Sequence, residues 1–254
     1  MRVVAIIPAR LASTRFPRKV LHPFHGLAMI EHVRRRALLV DGLDDVLVAT
    51  CDQEIADLVE GSGGKVVMTS TAHLNGTSRA AEVSANLDCS HVLLLQGDEP
   101  LLLPRHVEAM LSAIKGNPDG DAWNATAPIL EADELDRHSF VKCSIGYDDR
   151  ILYGFRRSPS VAPFEDQVNY IRKVLGIIAF RREVLAELAE APVSIVERYE
   201  SIEQMRVLDA RRTLYSVAVE ESLPSVNEPY EAEEVLEYIR SAPEQKQLLD
   251  RILG

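Results

Sequence analysis

The sequence contains few cysteines, and their scarcity limits the kinds of protein it can encode. Its 254 residues include only three, Cys51, Cys89 and Cys143. An odd number without the spacing of metal ligands argues against a disulfide framework and against structural zinc. We therefore expect a protein of a reducing compartment, with a cytoplasmic location.

Long apolar runs are missing as well. No stretch approaches the roughly 18 residues that a membrane span needs, and the opening MRVVAIIPAR becomes charged too early for a signal peptide. The chain also lacks a Gly/Ser-rich or Pro-rich tract that would divide it. These absences predict a protein without a membrane segment, folded as a single domain over residues 1–254.

Basic residues are outnumbered, with 28 Lys and Arg against 39 Asp and Glu, so the formal net charge is -11. An acidic surface repels phosphate backbones, and we therefore predict no nucleic-acid partner. Four cations nevertheless lie within ten residues of the stretch IIPARLASTRFPRKV, namely Arg10, Arg15, Arg18 and Lys19. This cluster predicts a local pocket for a small anion.

What the sequence does contain is a regular alternation of apolar runs and helical patterns over its first 120 residues. Short β-branched runs stand at 3–7, 45–49, 65–68 and 91–95, and helical patterns lie around 28–40, 52–61, 76–86 and 104–115. Apolar strands separated by helices predict an α/β, Rossmann-like fold with a mostly parallel sheet flanked by helices. Such sheets bind ligands beyond the carboxyl ends of their strands.

From about residue 122 the pattern changes to strands with little helix between them. Strands are predicted at 122–129, 141–147, 151–155, 174–180 and 214–219, and helices at 182–190, near 199–210 and from about 229. This order predicts a smaller mixed or antiparallel portion in the second half of the chain.

The loop after the first predicted strand, PARLASTRFPRK, stands where a P-loop would. It contains neither the GxxxxGKS/T nor the GxGxxG pattern, which argues against a mononucleotide hydrolase and a dinucleotide binder. Its cations must then act through their side chains, Arg as a fork of donors to phosphate oxygens and Lys as a compact charge. The alternative is a solvated charged loop.

Two further stretches carry candidate ligands for the same anion. In QGDEP, Asp98 and Glu99 follow the fourth apolar strand, where a carboxylate is suited to hold Mg²⁺ on a triphosphate or, alternatively, to cap the next helix. In HLNGTSRAAE, Gly76 and Thr77 open a helix whose free N–H groups suit a base or phosphate, with Arg79 further along. Thr77 as a simple helix cap is the alternative there.

Together these stretches resemble the 3-deoxy-manno-octulosonate cytidylyltransferase family of sugar-acid cytidylyltransferases. The family's opening motif, IPARxxSTRxPxKxL, is matched by Pro8, Ala9, Arg10, Ser13, Thr14, Arg15, Pro17, Lys19 and Leu21. Its SGTxRxAE and QGDEP motifs are matched by Gly76, Thr77, Arg79, Ala81, Glu82 and Gln96 to Pro100. Shorter matches extend the resemblance from about residue 3 to 240.

The resemblance implies an enzyme with a nucleotidyltransferase fold that uses Mg²⁺ as its cofactor. Its reaction would transfer CMP from CTP to the anomeric hydroxyl of a 2-keto-3-deoxy sugar acid and release pyrophosphate, in bacterial lipopolysaccharide or surface polysaccharide synthesis. Residues 1–120 would form the nucleotide-binding half. Residues 121–254 would bind the sugar acid and form a homodimer.

The resemblance also assigns roles to individual residues. The catalytic residues would be Arg10, Arg15, Lys19 and Asp98, with Lys19 closest to the reacting phosphate. The nucleotide would be bound by Pro8, Ala9, Arg10, Lys19, Gly76, Thr77, Arg79, Gln96 and Asp98. The sugar-acid pocket would be lined by Gln96, Arg156, Glu203 and Gln204, and the metal would be held by Asp98 and Asn227.

Three departures from the family pattern bear on the metal and on the substrate. Asn227 stands where a VDTPED-like motif places a second metal-binding aspartate, so either Asn227 or Glu228 is expected to act there. Val174 and Ile178 replace a His and a Tyr that contact the sugar in family members. Arg18 replaces a glycine, and its side chain is expected either to contact phosphate or to point into solvent.

These departures leave three interpretations open. The first is an Mg²⁺-dependent cytidylyltransferase acting on octulosonate. The second keeps the reaction and changes the acceptor to an 8-amino octulosonate, a legionaminate or a neuraminate, because the lost His and Tyr remove hydrogen-bonding partners for particular hydroxyls. The third, motivated by Asn227, is a nucleotide-binding homologue with little or no turnover.

Overall fold

The computed structural model describes residues 1–13 and 15–254, and Thr14 of the opening motif lies outside the described residues. The strands are Val3–Ala9 (β1), Pro23–Phe24 (β2), Leu27–Ala28 (β3), Asp45–Thr50 (β4), Lys65–Met68 (β5), His91–Leu95 (β6), Ala122–Pro128 (β7), Lys142–Ile145 (β8), Ile151–Phe155 (β9), Ile171–Arg181 (β10) and Leu214–Ala218 (β11). The α-helices are Met29–Ala37 (α1), Gln53–Gly61 (α2), Gly76–Ala85 (α3), Pro104–Gly116 (α4), Phe164–Gln167 (α5), Arg182–Glu190 (α6), Ile195–Glu200 (α7), Met205–Asp209 (α8), Glu231–Ser241 (α9) and Pro243–Leu253 (α10).

The chain divides into two compact units. The first contains Met1–Glu108 together with Leu223–Gly254, and the second contains Ala109–Ser222. Among the described residues, no helix is long and apolar enough to cross a membrane. The sequence-based assignment of one domain with functional halves at 1–120 and 121–254 stays a prediction.

The first unit is built on a parallel sheet in the order β6, β1, β4, β5. Residues of β1 and β6 are buried almost throughout, because aliphatic side chains point to both covered faces of the sheet. The four predicted strands and the helices between them are therefore confirmed. Parallel pairing also brings the carboxyl ends of β1 and β6 to the same edge.

The C-terminal segment of the chain packs into the first unit. Val226, Val235 and Ile239 are buried in one apolar cluster with Phe24 and Leu101. The helices α9 and α10 supply most of the C-terminal residues of this cluster, so hydrophobic burial anchors the segment. As a result, Asn227 is held in the same unit as the opening loop, although the loop precedes it by more than 200 residues in the sequence.

The second unit has a mixed sheet, as the sequence predicts. Strand β7 pairs parallel with β11 and antiparallel with β10. Antiparallel pairs then join β10 to β8 and β8 to β9. The register of β10 against β7 shifts between Val174 and Ile178, which marks a bulge in the strand.

Short elements and one helix boundary differ from the sequence-based expectation. The helical stretch near 199–210 is two helices, α7 and α8, because Ser201 adopts a left-handed conformation (φ 54°) that ends the first. The hairpin of β2 and β3 was not predicted. It turns through His25 and Gly26, both with positive φ (48° and 80°), as a two-residue hairpin turn requires.

Candidate active site

The opening loop and the QGDEP turn meet through one ion pair. The Lys19 Nζ donates to Asp98 Oδ2 at 2.6 Å and to the Val226 carbonyl oxygen at 3.1 Å. The Val226 N–H in turn donates to the Asp98 carbonyl oxygen at 3.1 Å. The Lys19 and Asp98 side chains are 14% and 28% exposed, so the pair is shielded but reachable.

Sheet topology explains why residues so far apart in sequence meet. Strands β1 and β6 are adjacent and parallel, with Ile6 opposite Leu94. Both the basic loop and the acidic turn leave the sheet at the carboxyl ends of these strands, which is where open α/β sheets bind ligands. The predicted apposition of Lys19 and Asp98 at one rim is therefore present.

The HLNGTSRAAE motif approaches the ends of β1 and β6 closely at Gly76. A Cβ built on Gly76 would lie 2.9 Å from Pro8 Cγ and 3.8 Å from Gln96 Oε1. Only glycine permits this approach, because the proline ring is rigid and cannot move aside. The N-cap of α3 is Asn75, whose side chain accepts from the Ser78 N–H at 2.9 Å, so the alternative of Thr77 as the cap is wrong.

Asn227 and Glu228 lie beside Arg15. The Arg15 Nη2 donates to Asn227 Oδ1 at 3.3 Å, and Arg15 Nε lies 3.8 Å from Glu228 Oε1. The backbone N–H groups of Asn227 and Glu228 donate to the Glu231 carboxylate, the latter at 2.8 Å. Glu231 thus holds this turn ahead of α9, and the two candidate metal ligands contact a cation of the opening loop.

The Arg18 side chain is 56% exposed and forms an ion pair with Glu54. The residue adopts a left-handed conformation (φ 62°), which explains why a glycine suits this position in the family pattern. Its guanidinium donates to the Glu54 carboxylate at the start of α2. That hydrogen bond raises the pKa of Arg18 above its ordinary value.

The remaining cations assigned to the nucleotide differ in exposure. Arg10 is exposed just after β1, and its side chain makes no hydrogen bond or ion pair within residues 1–13 and 15–254. Arg79 is only 3% exposed, and its guanidinium donates to Thr69 Oγ1, to the Ser70 carbonyl at 3.4 Å and to Cys51 Sγ at 3.6 Å. It therefore holds the segment after β5, and its predicted contact with the nucleotide stays a prediction.

The sugar-acid candidates other than Gln96 lie in the second unit. The Arg156 guanidinium donates to the carbonyl oxygens of Glu200 (2.7 Å), Ser201 (2.9 Å) and His138 (2.9 Å). It thereby positions the backbone just before Glu203 and Gln204. The Gln204 Nε2 donates to Asn124 Oδ1 at 3.1 Å.

Sequence reasoning gave no role to two residues of the second unit that the structure buries. Asn124 is fully buried, and the signal for it was a single amide within the apolar run AWNATAPI. Lys142 is also fully buried, and its ammonium donates to the carbonyl oxygens of Arg137 (2.7 Å), Phe140 (2.9 Å) and Arg156. Burial lowers the pKa of Lys142 to about 8.

The oxygen ligands near Asp98 suit a metal ion that is bound partly by the protein and partly by the substrate. Among the residues that the structure describes, no group of three or more His, Cys, Asp and Glu side chains could hold an ion. Mg²⁺ needs no such cage, because it binds proteins through one or two carboxylates and completes its shell with water and phosphate oxygens. Asp98, with Asn227 or Glu228, fits that pattern.

Comparison with known proteins agrees with this geometry. The profile of the cytidylyltransferase family matches residues 4–214. The 3-deoxy-manno-octulosonate cytidylyltransferase of Escherichia coli is 36% identical, over 90% of this chain and 92% of that protein. The 8-amino-3,8-dideoxy-manno-octulosonate cytidylyltransferase of Shewanella piezotolerans is 40% identical, over 82% of this chain and 86% of that protein.

A solved structure extends the agreement to the fold. The CMP:2-keto-3-deoxy-manno-octonic acid synthetase complexed with CTP superposes with a TM-score of 0.89 and 34% identity, covering 94% of this chain and 99% of that one. The chain therefore belongs to the cytidylyltransferase family, and it is an enzyme of that class. The resemblance and the fold predicted from the sequence are both confirmed.

Proposed function

We propose that this enzyme transfers the cytidylyl group of CTP to the anomeric hydroxyl of a 3-deoxy-octulosonate-type sugar acid. The observation that carries the proposal is the ion pair of Lys19 with Asp98, 2.6 Å apart at the carboxyl ends of β1 and β6. The names of the relatives in Escherichia coli and Shewanella piezotolerans support both the donor and the acceptor class.

The chemistry needs no covalent enzyme intermediate. The anomeric oxygen forms a bond to the α-phosphorus while the bond from that phosphorus to the bridging oxygen breaks, and pyrophosphate leaves with the electron pair. The hydroxyl proton passes to solvent. Catalysis then consists of in-line positioning and of neutralising negative charge, which Lys19, Arg15 and Arg10 would do as donors to the triphosphate.

Asp98 has two roles in this proposal. Its carboxylate orients the Lys19 ammonium toward the strand edge, and its oxygens would hold Mg²⁺ together with Asn227 or Glu228. The bound ion would supply positive charge against the triphosphate. Gly76, Thr77 and Arg79 would lie by the cytidine, close to Pro8, Ala9 and Gln96.

The acceptor is proposed as octulosonate, with its 8-amino counterpart as the second candidate. Val174 is half-buried and Ile178 is buried in β10, so neither offers the hydrogen bonds that a His and a Tyr would give to the sugar. Relatives named for each acceptor match this chain at similar identity. Gln96, Arg156, Glu203 and Gln204 would line the pocket.

We further propose a homodimer in the cytoplasm. Among the described strands, β9 pairs only with β8, so its other edge is open, and its residues Leu152 and Tyr153 are 57% and 42% exposed. An open strand edge can pair with a strand of a second chain. The three cysteines are free thiols, as in proteins of reducing compartments. Sedimentation equilibrium tests the dimer, and a monomer at micromolar concentration would contradict it.

Pyrophosphate release tests the reaction. Each nucleoside triphosphate is paired with octulosonate, 8-amino octulosonate, legionaminate and neuraminate, with and without Mg²⁺. Release only with CTP, an octulosonate and Mg²⁺ is the expected result. Turnover restricted to UTP or GTP would overturn the base assignment, and CTP binding without release in any pairing would favour a homologue without turnover.

A further inference from the structure

The buried amide of Asn124 is hydrogen-bonded to the half-buried amide of Gln204 in the second unit. Asn124, which is 0% exposed, donates through Nδ2 to the Leu175 carbonyl at 2.8 Å and to the Ala125 carbonyl at 2.9 Å. Its Oδ1 accepts from Gln204 Nε2 at 3.1 Å. Asn124 therefore connects strands β7 and β10 to the residue that precedes α8.

The donors and acceptors of these two amides determine how Gln204 is oriented. Backbone carbonyls only accept hydrogen bonds, so the Asn124 atom that faces two of them must be its amide nitrogen. The Asn124 oxygen then faces Gln204, and only the Gln204 nitrogen can donate to it. The Gln204 amide oxygen is consequently directed away from Asn124.

We propose that Asn124 is a positioning residue that fixes Gln204 with its amide oxygen toward the sugar acid. The pocket would then accept a hydrogen bond from a donor group of the substrate, a hydroxyl or an ammonium. This inference rests on the proposed function, which places Gln204 in the sugar-acid pocket.

The same residue organises the strand that departs from the family pattern. Leu175 lies in the segment of β10 between Val174 and Ile178 where the register against β7 shifts. A bulge leaves backbone groups without ladder partners, and the Asn124 amide satisfies one of them. Val174 and Ile178 are apolar and offer no hydrogen bond to a sugar. The Gln204 oxygen would therefore be important for recognising a polar group of the substrate.

A double-mutant cycle tests the positioning role. Asn124→Ala, Gln204→Ala and the double variant are compared for the KM of the sugar acid, the KM of CTP and kcat. We expect each single variant to raise the sugar-acid KM about tenfold, with the CTP KM unchanged, and the double variant to resemble Gln204→Ala alone. Ser216→Ala is the matched control, because it removes a buried hydrogen bond to Thr126 on the neighbouring strand.

The outcomes separate this inference from the proposed function. A wild-type enzyme that turns over no sugar acid would overturn the proposed function. An active wild type with independent, additive effects of Asn124→Ala and Gln204→Ala, or with a loss equal to that of Ser216→Ala, would overturn the positioning role alone. If Asn124→Ala does not fold, Asn124→Ser replaces it, because a serine hydroxyl is too short to bridge the two carbonyls and Gln204.

Substrate analogues test the acceptor oxygen without changing Asn124. Sugar acids that lack one hydroxyl or amino group at a time are compared between the wild type and Gln204→Met. We expect the wild type to discriminate against one analogue about tenfold or more and Gln204→Met to lose that discrimination. Whether the sensitive group is a hydroxyl or the 8-amino group identifies the donor. Equal discrimination by both enzymes would contradict the inference.

Discussion

Replacing Lys19 by methionine gives the sharpest test of the candidate active site. The substitution keeps most of the side-chain volume and removes one positive charge at the rim where β1 and β6 end. In the folded protein this ammonium contacts Asp98 Oδ2 at 2.6 Å and the Val226 carbonyl at 3.1 Å. Both contacts are lost together.

The structure predicts unequal effects on stability and on catalysis. Asp98 is 28% exposed, so water can hydrate its carboxylate once Lys19 is gone, and we expect the free energy of unfolding to fall by about 1 to 2 kcal/mol. A donor aimed at charge that develops in the transition state contributes about 3 kcal/mol or more. Turnover should therefore fall about a hundredfold or more.

The assay is steady-state pyrophosphate release, paired with urea denaturation of the same preparations. Lys65→Met is the matched control, because it removes the same charge from a Lys–Asp pair whose lysine side chain is 67% exposed. We expect its activity to stay within about twofold of the wild type.

Three results would refute the reasoning. Wild-type turnover in Lys19→Met would remove Lys19 from the site. An equal loss in Lys65→Met would indicate a general effect of net charge. A loss of turnover that only follows the loss of folded protein would leave Lys19 with a structural role.

Three other predictions concern the metal, the convergence of the motifs and the dependence on pH. Asn227→Asp places a carboxylate beside Arg15 and should raise activity at low Mg²⁺, as measured by Mg²⁺ titration of turnover; an unchanged titration curve would mean that the amide already suffices. Gly76→Ala puts a Cβ 2.9 Å from Pro8 Cγ and should cost about 1 to 3 kcal/mol in urea denaturation and raise the KM of CTP, whereas Gly61→Ala, with open space around it, should do neither. Burial lowers the pKa of His32 from 6.5 to about 4. Between these pH values the folded protein binds fewer protons than the unfolded chain, so the free energy of unfolding should fall by up to about 3 kcal/mol as the pH falls through that range. Urea denaturation of the wild type and His32→Gln at pH 7 and 4.5 measures this loss, and equal pH dependence of the two would contradict it.

Local patterns were sufficient for most elements of the fold. The apolar run at 91–95 and the helical pattern at 182–190 coincide with β6 and α6, because a strand buried on both faces is apolar throughout and a helix buried on one face is apolar at every third or fourth residue. The hairpin turn at His25 and Gly26 carried too weak a signal. The break at Ser201 was also missed, since a left-handed serine is stabilised only by its surroundings.

The candidate site was likewise predicted only in part from the sequence. The sequence by itself determined which side chains have the chemistry to bind a triphosphate, because Arg10, Arg15, Lys19 and Asp98 lie in stretches that follow predicted strands. Their partners depend on the tertiary structure. Lys19 meets Asp98 because β1 and β6 are neighbours, and Arg15 meets Asn227 because Val226 is buried in the core of the first unit.

Arg18 and Asn124 illustrate what only the tertiary structure could decide. Glu54 holds Arg18, and Leu175 and Gln204 determine which way the Asn124 amide points. In each case a polar side chain takes its role from groups distant in sequence that the fold brings within hydrogen-bonding distance. A hydrogen bond requires its donor and acceptor to lie about 3 Å apart. The residue types therefore define which groups a side chain can bind, and the packing of strands and helices decides which of those groups it does bind.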